Sequence, residues 1–335
     1  MKAKQALLLL SVISSVISIS CSKSSPSTSV TGNWVSKSDL DGVARSEGVS
    51  FVINDKAYIG TGYDGNVRLN DLWVYDATND FWEQKADLPG TARSSAVAFA
   101  AAGKGYIGTG FDGVNKLKDI WAYDPTANTW AQKNDFGGSA RYDAVAFSIQ
   151  AKGYISTGFD GNYLKDFYEY DPSADTWTLK PGFGGTKRMA AVAFVHGNKG
   201  YIVTGSNNGT VVNDFWQYDP STSAWSELRK ISNVSTDSYD DNYTDIVRSN
   251  AVAFLVGDKA YISTGENGSL LSSTWEYDFT QDLWTSKTAF EGSPRTGALG
   301  FTLSTGGFIT TGRSSTLPFD DLRQFFPDQD YNVND

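Results

Sequence analysis

One motif recurs six times along this chain, and a recurrence at such a period constrains the fold more than any single residue does. In register stand Ser50-Phe51, Ala98-Phe99, Ala146-Phe147, Ala193-Phe194, Ala253-Phe254 and Gly300-Phe301. An arginine lies six residues before each Phe: Arg45, Arg93, Arg141, Arg188, Arg248 and Arg295. Each Phe is followed by an aromatic–Ile pair headed by Tyr58, Tyr106, Tyr154, Tyr201, Tyr261 or Phe308, and then by Thr-Gly, ending at Gly62, Gly110, Gly158, Gly205, Gly265 or Gly312. An aromatic run ends at Tyr75, Tyr123, Tyr170, Tyr218, Tyr277 and Phe325, and in five copies a Trp follows seven residues later: Trp82, Trp130, Trp177, Trp225 and Trp284. Successive arginines are 48, 48, 47, 60 and 47 residues apart.

Within one unit the pattern predicts four short strands. Ala96-Val97-Ala98-Phe99 alternates small and bulky residues, so one face is small and the other large, as strands covered on both faces require. Gly105 to Gly110 reads as a second strand whose glycines remove side chains where backbones crowd. Asp119 to Tyr123 reads as a third. Asp124-Pro125 to Asn128 makes a turn, since Pro presets φ and cannot continue a ladder, and Thr129 to Gln132 is a fourth. Four strands at a period near fifty predict the blades of a β-propeller.

The Tyr and Trp separated by six residues, after a glycine-containing second strand, resemble Kelch repeats of the galactose-oxidase-like propeller class. The resemblance covers about residues 32 to 330 and rests on sixfold repetition. One departure is systematic: the usual glycine doublet is Thr-Gly here, as in Thr61-Gly62 and Thr109-Gly110. The expected fold is all-β, a six-bladed Kelch-type propeller. Its last blade lacks a Trp after Phe325, while an unpaired Gly32-Asn33-Trp34 stands at the other end. Trp34 precedes Arg45 by eleven residues, the interval that separates Trp82 from Arg93 and Trp130 from Arg141. Trp34 to Lys37 is therefore expected as the outer strand of the last blade, closing the ring and removing open edges. The alternative is a strand from the tail Asp328 to Asp335, whose Tyr331 is one place off register.

Lys2 and Lys4 precede an apolar stretch, Ala6 to Ile19, which is too short for a comfortable transmembrane helix and patterned like a secretory leader. It ends at Ile17-Ser18-Ile19-Ser20-Cys21, so the chain's one Cys sits where a lipoprotein leader places it. Bacterial lipoboxes usually carry Leu where Ser18 stands. The organisation read from this is a leader over 1–20, a Ser/Thr-rich tether over 21–31 and a propeller over 32–335, with Cys21 as the lipidation site. The expected location is the cell envelope, the outer membrane ahead of the inner, with a lipid anchor as the only membrane contact. The formal net charge of −10 makes nucleic acid a poor partner, because such binding rests on cationic contacts to phosphate.

The loop before strand 1 and the loop between strands 2 and 3 open on one face, the loop face. The six arginines, at the start of the strand nearest the axis, are expected to ring the channel mouth there. They either hold an anionic ligand or pair with neighbouring carboxylates and carbonyls and fasten the blades. Asp64-Gly65, Asp112-Gly113 and Asp160-Gly161 read as tight turns, calcium being the other use of such pairs, although no EF-hand-like spacing is present. Trp225 to Arg248 spans 23 residues where other copies span 11. This insertion is expected on the loop face as a partner contact, with Asp240, Asp241 and Tyr243 as candidates.

A single His, His196, and a single Cys in the leader leave no ligands for the copper chemistry of galactose oxidase-like enzymes. Zinc and Ser-His-Asp catalysis are disfavoured for the same reason, and no metal or cofactor is expected. The expected function is non-catalytic: a monomeric binding or scaffold propeller recognising a protein or glycan. The alternative, implied by resemblance to Kelch-like sialic-acid epimerases, is a sugar-modifying enzyme, epimerase- or hydrolase-like, working with carboxylate and arginine residues.

Overall fold

The computed structural model describes residues 30–334. Six four-stranded antiparallel sheets are arranged as blades, and the first five are meanders in chain order from the innermost strand outward. Blade 1 runs Val49–Ile53, Lys56–Gly60, Leu72–Asp76, Phe81–Lys85. The innermost strands of blades 2 to 6 are Val97–Ala101, Val145–Ile149, Val192–His196, Val252–Val256 and Leu299–Leu303. Leu322–Phe326 of blade 6 takes its outer neighbour from the other end of the chain, Asn33–Lys37, with Trp34 opposite Phe325. Among the described residues, the tail after Phe326 adds no strand. The only helix among the described residues is one 3-10 turn, Ser238–Asp240, in the insertion. No described helix is long and apolar enough to cross a membrane.

The small–large alternation explains how the blades stack. The bulky side of each inner strand presses its Phe onto the second strand of the next blade. A Cβ at Gly105 would stand 2.1 Å from the Phe51 ring, and one at Gly153 would stand 2.2 Å from Phe99. These glycines therefore admit a neighbour's side chain, where crowded backbones had been expected. The small side lets inner strands approach closely and leaves a narrow axial channel of about 210 Å³. Trp34 is fully buried, with Phe325, Phe290 and Phe254 at centroid distances of 4.6, 5.0 and 5.8 Å. Losing that side chain should cost about 3–5 kcal/mol and unzip the ring at its only junction between chain ends.

The Thr-Gly pair is the hinge between blades. All six threonines hold left-handed backbone, with φ of 55 at Thr61 and 63 at Thr157, a region that β-branched residues rarely enter. Each following glycine donates its N–H to the carbonyl of the next blade's arginine, from Gly62 to Arg93 (2.8 Å) round to Gly312 and Arg45 (2.8 Å). The ring thus closes by the same bond that joins every other pair of blades.

Candidate binding site at the channel mouth

The six arginines do not ring the mouth. Their exposure is 0–1%, and each points into its own blade. In blade 2, Arg93 donates through both terminal nitrogens to Asp119, at 2.7 and 2.7 Å, and to the carbonyls of Thr109 and Thr91 at 3.0 and 2.8 Å. The same fork joins Arg45 to Asp71, Arg141 to Asp166 and Arg295 to Asp321, and Arg188 pairs with Asp214. A buried guanidinium whose donors are met in this way has nothing left for a ligand. Of the two roles open to these residues, the geometry matches pairing with carboxylates and carbonyls, made within each blade, while the link to the preceding blade is the arginine's backbone carbonyl.

Blade 5 differs. Ser273 stands where the other blades carry Asp, and Arg248 donates to the Ser273 carbonyl (3.0 Å), the Ser273 hydroxyl (2.7 Å) and the Asp245 carbonyl (2.5 Å). The Asp245 carboxylate, brought in by the insertion, lies 3.7 Å from the guanidinium and accepts the indole N–H of Trp275 at 2.7 Å. With its carboxylate so distant, burial lowers Arg248 to about 10.

The insertion packs on the side of blade 5, and none of its residues lines the three cavities at the mouth. Asp240 is buried, accepting from the Val234 and Ser235 amides at 3.0 and 2.9 Å. Tyr243 is buried too, its hydroxyl accepting the Trp284 amide at 2.7 Å. Both side chains hold the insertion in place because the segment needs its own core. Asp241 is exposed. Together, Tyr243, Trp284 and the outer strand of blade 5 line a rim cavity of about 470 Å³. His196 ends an inner strand away from the loop face and stacks on Phe279 at 3.9 Å. The Asp-Gly pairs form turns: Asp64 accepts the Asn66 and Val67 amides, both at 2.7 Å. Cys21 lies outside the described residues.

The mouth is built two residues after each arginine. Glu47, Ser95, Asp143, Ala190, Asn250 and Gly297 all have φ between 51 and 63. Their backbones bond head to tail around the axis: Ser95 to Glu47 (2.8 Å), Asp143 to Ser95 (3.0 Å), Ala190 to Asp143 (3.0 Å), Asn250 to Ala190 (3.0 Å) and Glu47 to Gly297 (2.8 Å). This collar carries two carboxylates. Burial pushes Asp143 up to about 7, helped by the charge on Glu47 and opposed by a hydrogen bond from Ser95. The single Ser95 hydroxyl proton is shared between the two acids, since its oxygen also stands 3.4 Å from Glu47, and Arg313 stands 3.6 Å from Glu47.

Around one half of the collar runs an arc of half-buried rings. The Arg68 guanidinium lies between Tyr63 (5.1 Å) and Phe111 (4.9 Å). Phe111 meets Tyr142 at 5.5 Å, Tyr142 meets Phe159 at 5.7 Å, and Phe159 meets Tyr163 at 5.1 Å. Lys116 sits over Phe159 at 6.0 Å. The arc belongs to blades 1 to 3. At the positions of Tyr63, Phe111 and Phe159, blades 4 to 6 carry Ser206, Glu266 and Arg313. Between arc and collar is a cavity of about 230 Å³ that includes Arg68, Phe111, Tyr142, Glu47 and Asp143. A second cavity of about 490 Å³, lined by hydroxyl and amide groups with Glu266 and Arg313, faces blades 4 to 6.

The comparison with known families settles the class of repeat. The KLHDC2/KLHL20/DRC7 Kelch-repeats domain matches residues 139–309. The chain belongs to the Kelch-repeat family. Among solved structures, one described as "Structure of YjhT" shares this Kelch fold with a TM-score of 0.71 at 16% identity, over 84% of this chain and 95% of that one. No curated protein matches the chain.

Sequence reasoning missed the arc and the acidic collar. For the arc a signal existed: the residue after Thr-Gly is aromatic in three consecutive repeats and polar in the other three. The collar had none, because its six positions share a backbone conformation and no side-chain type.

Proposed function

We propose that this Kelch propeller is a non-catalytic binding protein of the cell envelope, anchored through Cys21, which recognises a glycan or a protein on its loop face. One observation carries the reading. Whatever the ring needs to close recurs in every blade, as the Thr-Gly hinges and buried arginines do. The rings of the arc occur in only three blades and its unpaired cations in two, so closure does not require it. Rings beside cations on rigid loops suit stacking against sugar faces or partner side chains. A surface of net negative charge leaves nucleic acid a poor ligand.

The test is a glycan and peptide array probed with the chain and with a Phe111→Ser/Phe159→Ser variant. Binding lost in the variant, with thermal unfolding unchanged, supports the reading. Binding that survives the variant removes the arc from it.

A second reading, a sugar-modifying enzyme, is favoured by an acid near neutrality, Asp143, in one cavity with an unpaired arginine, Arg68. It predicts that Asp143→Asn abolishes turnover of an array-identified sugar while leaving its binding intact.

A further inference from the structure

The outer strand of blade 5, Leu283–Lys287, has an edge that is only partly covered. The Trp284 amide donates away from the sheet, to the Tyr243 hydroxyl at 2.7 Å, and the Thr288 amide donates to the Thr31 carbonyl at 3.1 Å. Backbone groups of an antiparallel strand turn inward and outward at alternate residues. The Ser286 amide, midway between these two, therefore points outward as well, and it meets no acceptor among the described residues. An open edge of this kind pairs with another extended segment.

That edge borders the rim cavity of about 470 Å³. The lining combines Tyr239 and Tyr243 from the insertion, Ser286 and Lys287 from the strand, and Val30 and Thr31, the first described residues. Lys287 is the one charged residue among them, and it is held by Glu276 at 3.1 Å and by the Thr31 hydroxyl at 3.2 Å. The cavity thus presents no charge in need of a partner, and an uncharged extended segment suits it. This chain supplies one: Ser27-Thr28-Ser29 runs directly into Val30 and carries hydroxyls and no charge. Joined covalently to the wall, it competes at the millimolar effective concentration of a short linker. Pro26, with no amide to donate, sets its upstream limit. We infer that residues 27–29 dock in the rim cavity as an added strand on the edge of blade 5, accepting the Ser286 amide. This placement does not depend on what the loop face binds. For a chain anchored at Cys21 it cuts the free span to residues 22–26, roughly 20 Å when extended in place of about 30 Å, and holds blade 5 toward the membrane.

The experiment is hydrogen exchange of the full chain in detergent micelles, read residue by residue by mass spectrometry. The Ser286 amide and amides within residues 27–29 should exchange at least about tenfold more slowly than in an unstructured peptide. Ser286→Pro removes the donor at an edge position outside the ladder, where proline is tolerated, and should return residues 27–29 to the unstructured rate. Thr28→Pro/Ser29→Pro should expose the Ser286 amide; it leaves the ring untouched and serves if Ser286→Pro does not fold. Residues 27–29 exchanging at the unstructured rate in the parent chain would overturn the inference. So would a Ser286 amide still protected in Thr28→Pro/Ser29→Pro, a result that assigns the cavity to a second copy or to a partner protein. Neither result touches the array, so this inference and the binding function fail separately.

Discussion

In blade 2 the guanidinium of Arg93 meets Asp119 through both terminal nitrogens, whereas in blade 5 the equivalent Arg248 meets a serine, two carbonyls and a carboxylate 3.7 Å away. The surrounding frame is the same: Arg93 reaches the Thr109 carbonyl at 3.0 Å, and Arg248 reaches that of Thr264 at 2.8 Å. The difference shows that this slot must be filled with acceptors, while the carboxylate can come from elsewhere. Blade 5 has Ser273 where the other blades have an acid before the third strand, and the insertion before its arginine supplies a carboxylate, Asp245. The irregular repeat, expected as a display loop, in part supplies an acceptor for the core of its own blade. It carries its own buried side chains, Asp240 and Tyr243, because a segment must be ordered to place a charge.

The comparison can be broken most severely in blade 2. Asp119→Ser gives that blade the chemistry of blade 5 without the insertion, leaving Arg93 buried and without its carboxylate. The expected loss is about 3–5 kcal/mol in urea unfolding. A loss below about 1 kcal/mol would mean that carbonyls alone satisfy the arginine. The reverse change, Ser273→Asp, should give Arg248 its fork and stabilise the fold by about 1–2 kcal/mol at neutral pH. It should also raise the pKa of Arg248. Destabilisation instead would show that Asp245 already supplies enough negative charge and that a second carboxylate repels it.

The collar offers the same comparison at one position, Asp143 in blade 3 and Asn250 in blade 5. Asp143 has a folded pKa of about 7, above the ordinary aspartate value, so the folded state holds its proton more tightly than the unfolded state does. Its neutral form is tolerated at low pH, and stability falls as pH rises from the unfolded value through the folded one. Asp143→Asn should therefore match the parent below about pH 4 and exceed it by about 1 kcal/mol above about pH 7, the effect being reduced because water reaches part of the side chain. Equal stability at both pH values would show that the carboxyl is ordinary.

The smallest effect is expected at blade 4. In blades 1, 2, 3 and 5 the strand-3 Tyr donates to an Asp or Asn five residues on, as Tyr75 does to Asp80 (2.6 Å) and Tyr123 to Asn128 (2.7 Å). That residue also accepts an amide of the preceding blade, as Asn128 does from Ala86 at 2.9 Å. Blade 4 has Ser223 there, and the Tyr218 hydroxyl is buried without a partner. Ser223→Asn should restore the latch and add about 0.5–1 kcal/mol in thermal unfolding. No gain would mean that a water molecule already serves Tyr218.

Much of the framework was legible. The Trp-to-Arg interval of eleven residues placed Trp34 in the last blade, and the strand pairing of Asn33–Lys37 with Leu322–Phe326 agrees. The small–large alternation gave the stacking of the inner strands. The candidate site was legible only in its negatives. The arginines stood out because they repeat, and repetition is the mark of structure. The residues that distinguish one half of the mouth, Arg68, Tyr142 and their neighbours, break the repeat and so disappear in an alignment made to find it.

The sequence by itself determined the number of blades, their order and the manner of closure, because these follow from local periodicity and from intervals counted along the chain. The tertiary structure alone decided where the arginines point. Arg93 finds its carboxylate 26 residues away and its backbone acceptors at 2 and 16 residues, and only the folded blade brings those three together. It also decided what faces the channel. Each arginine lies in its blade, while the left-handed residue two positions later stands at the axis, where six blades meet and their differences become one surface.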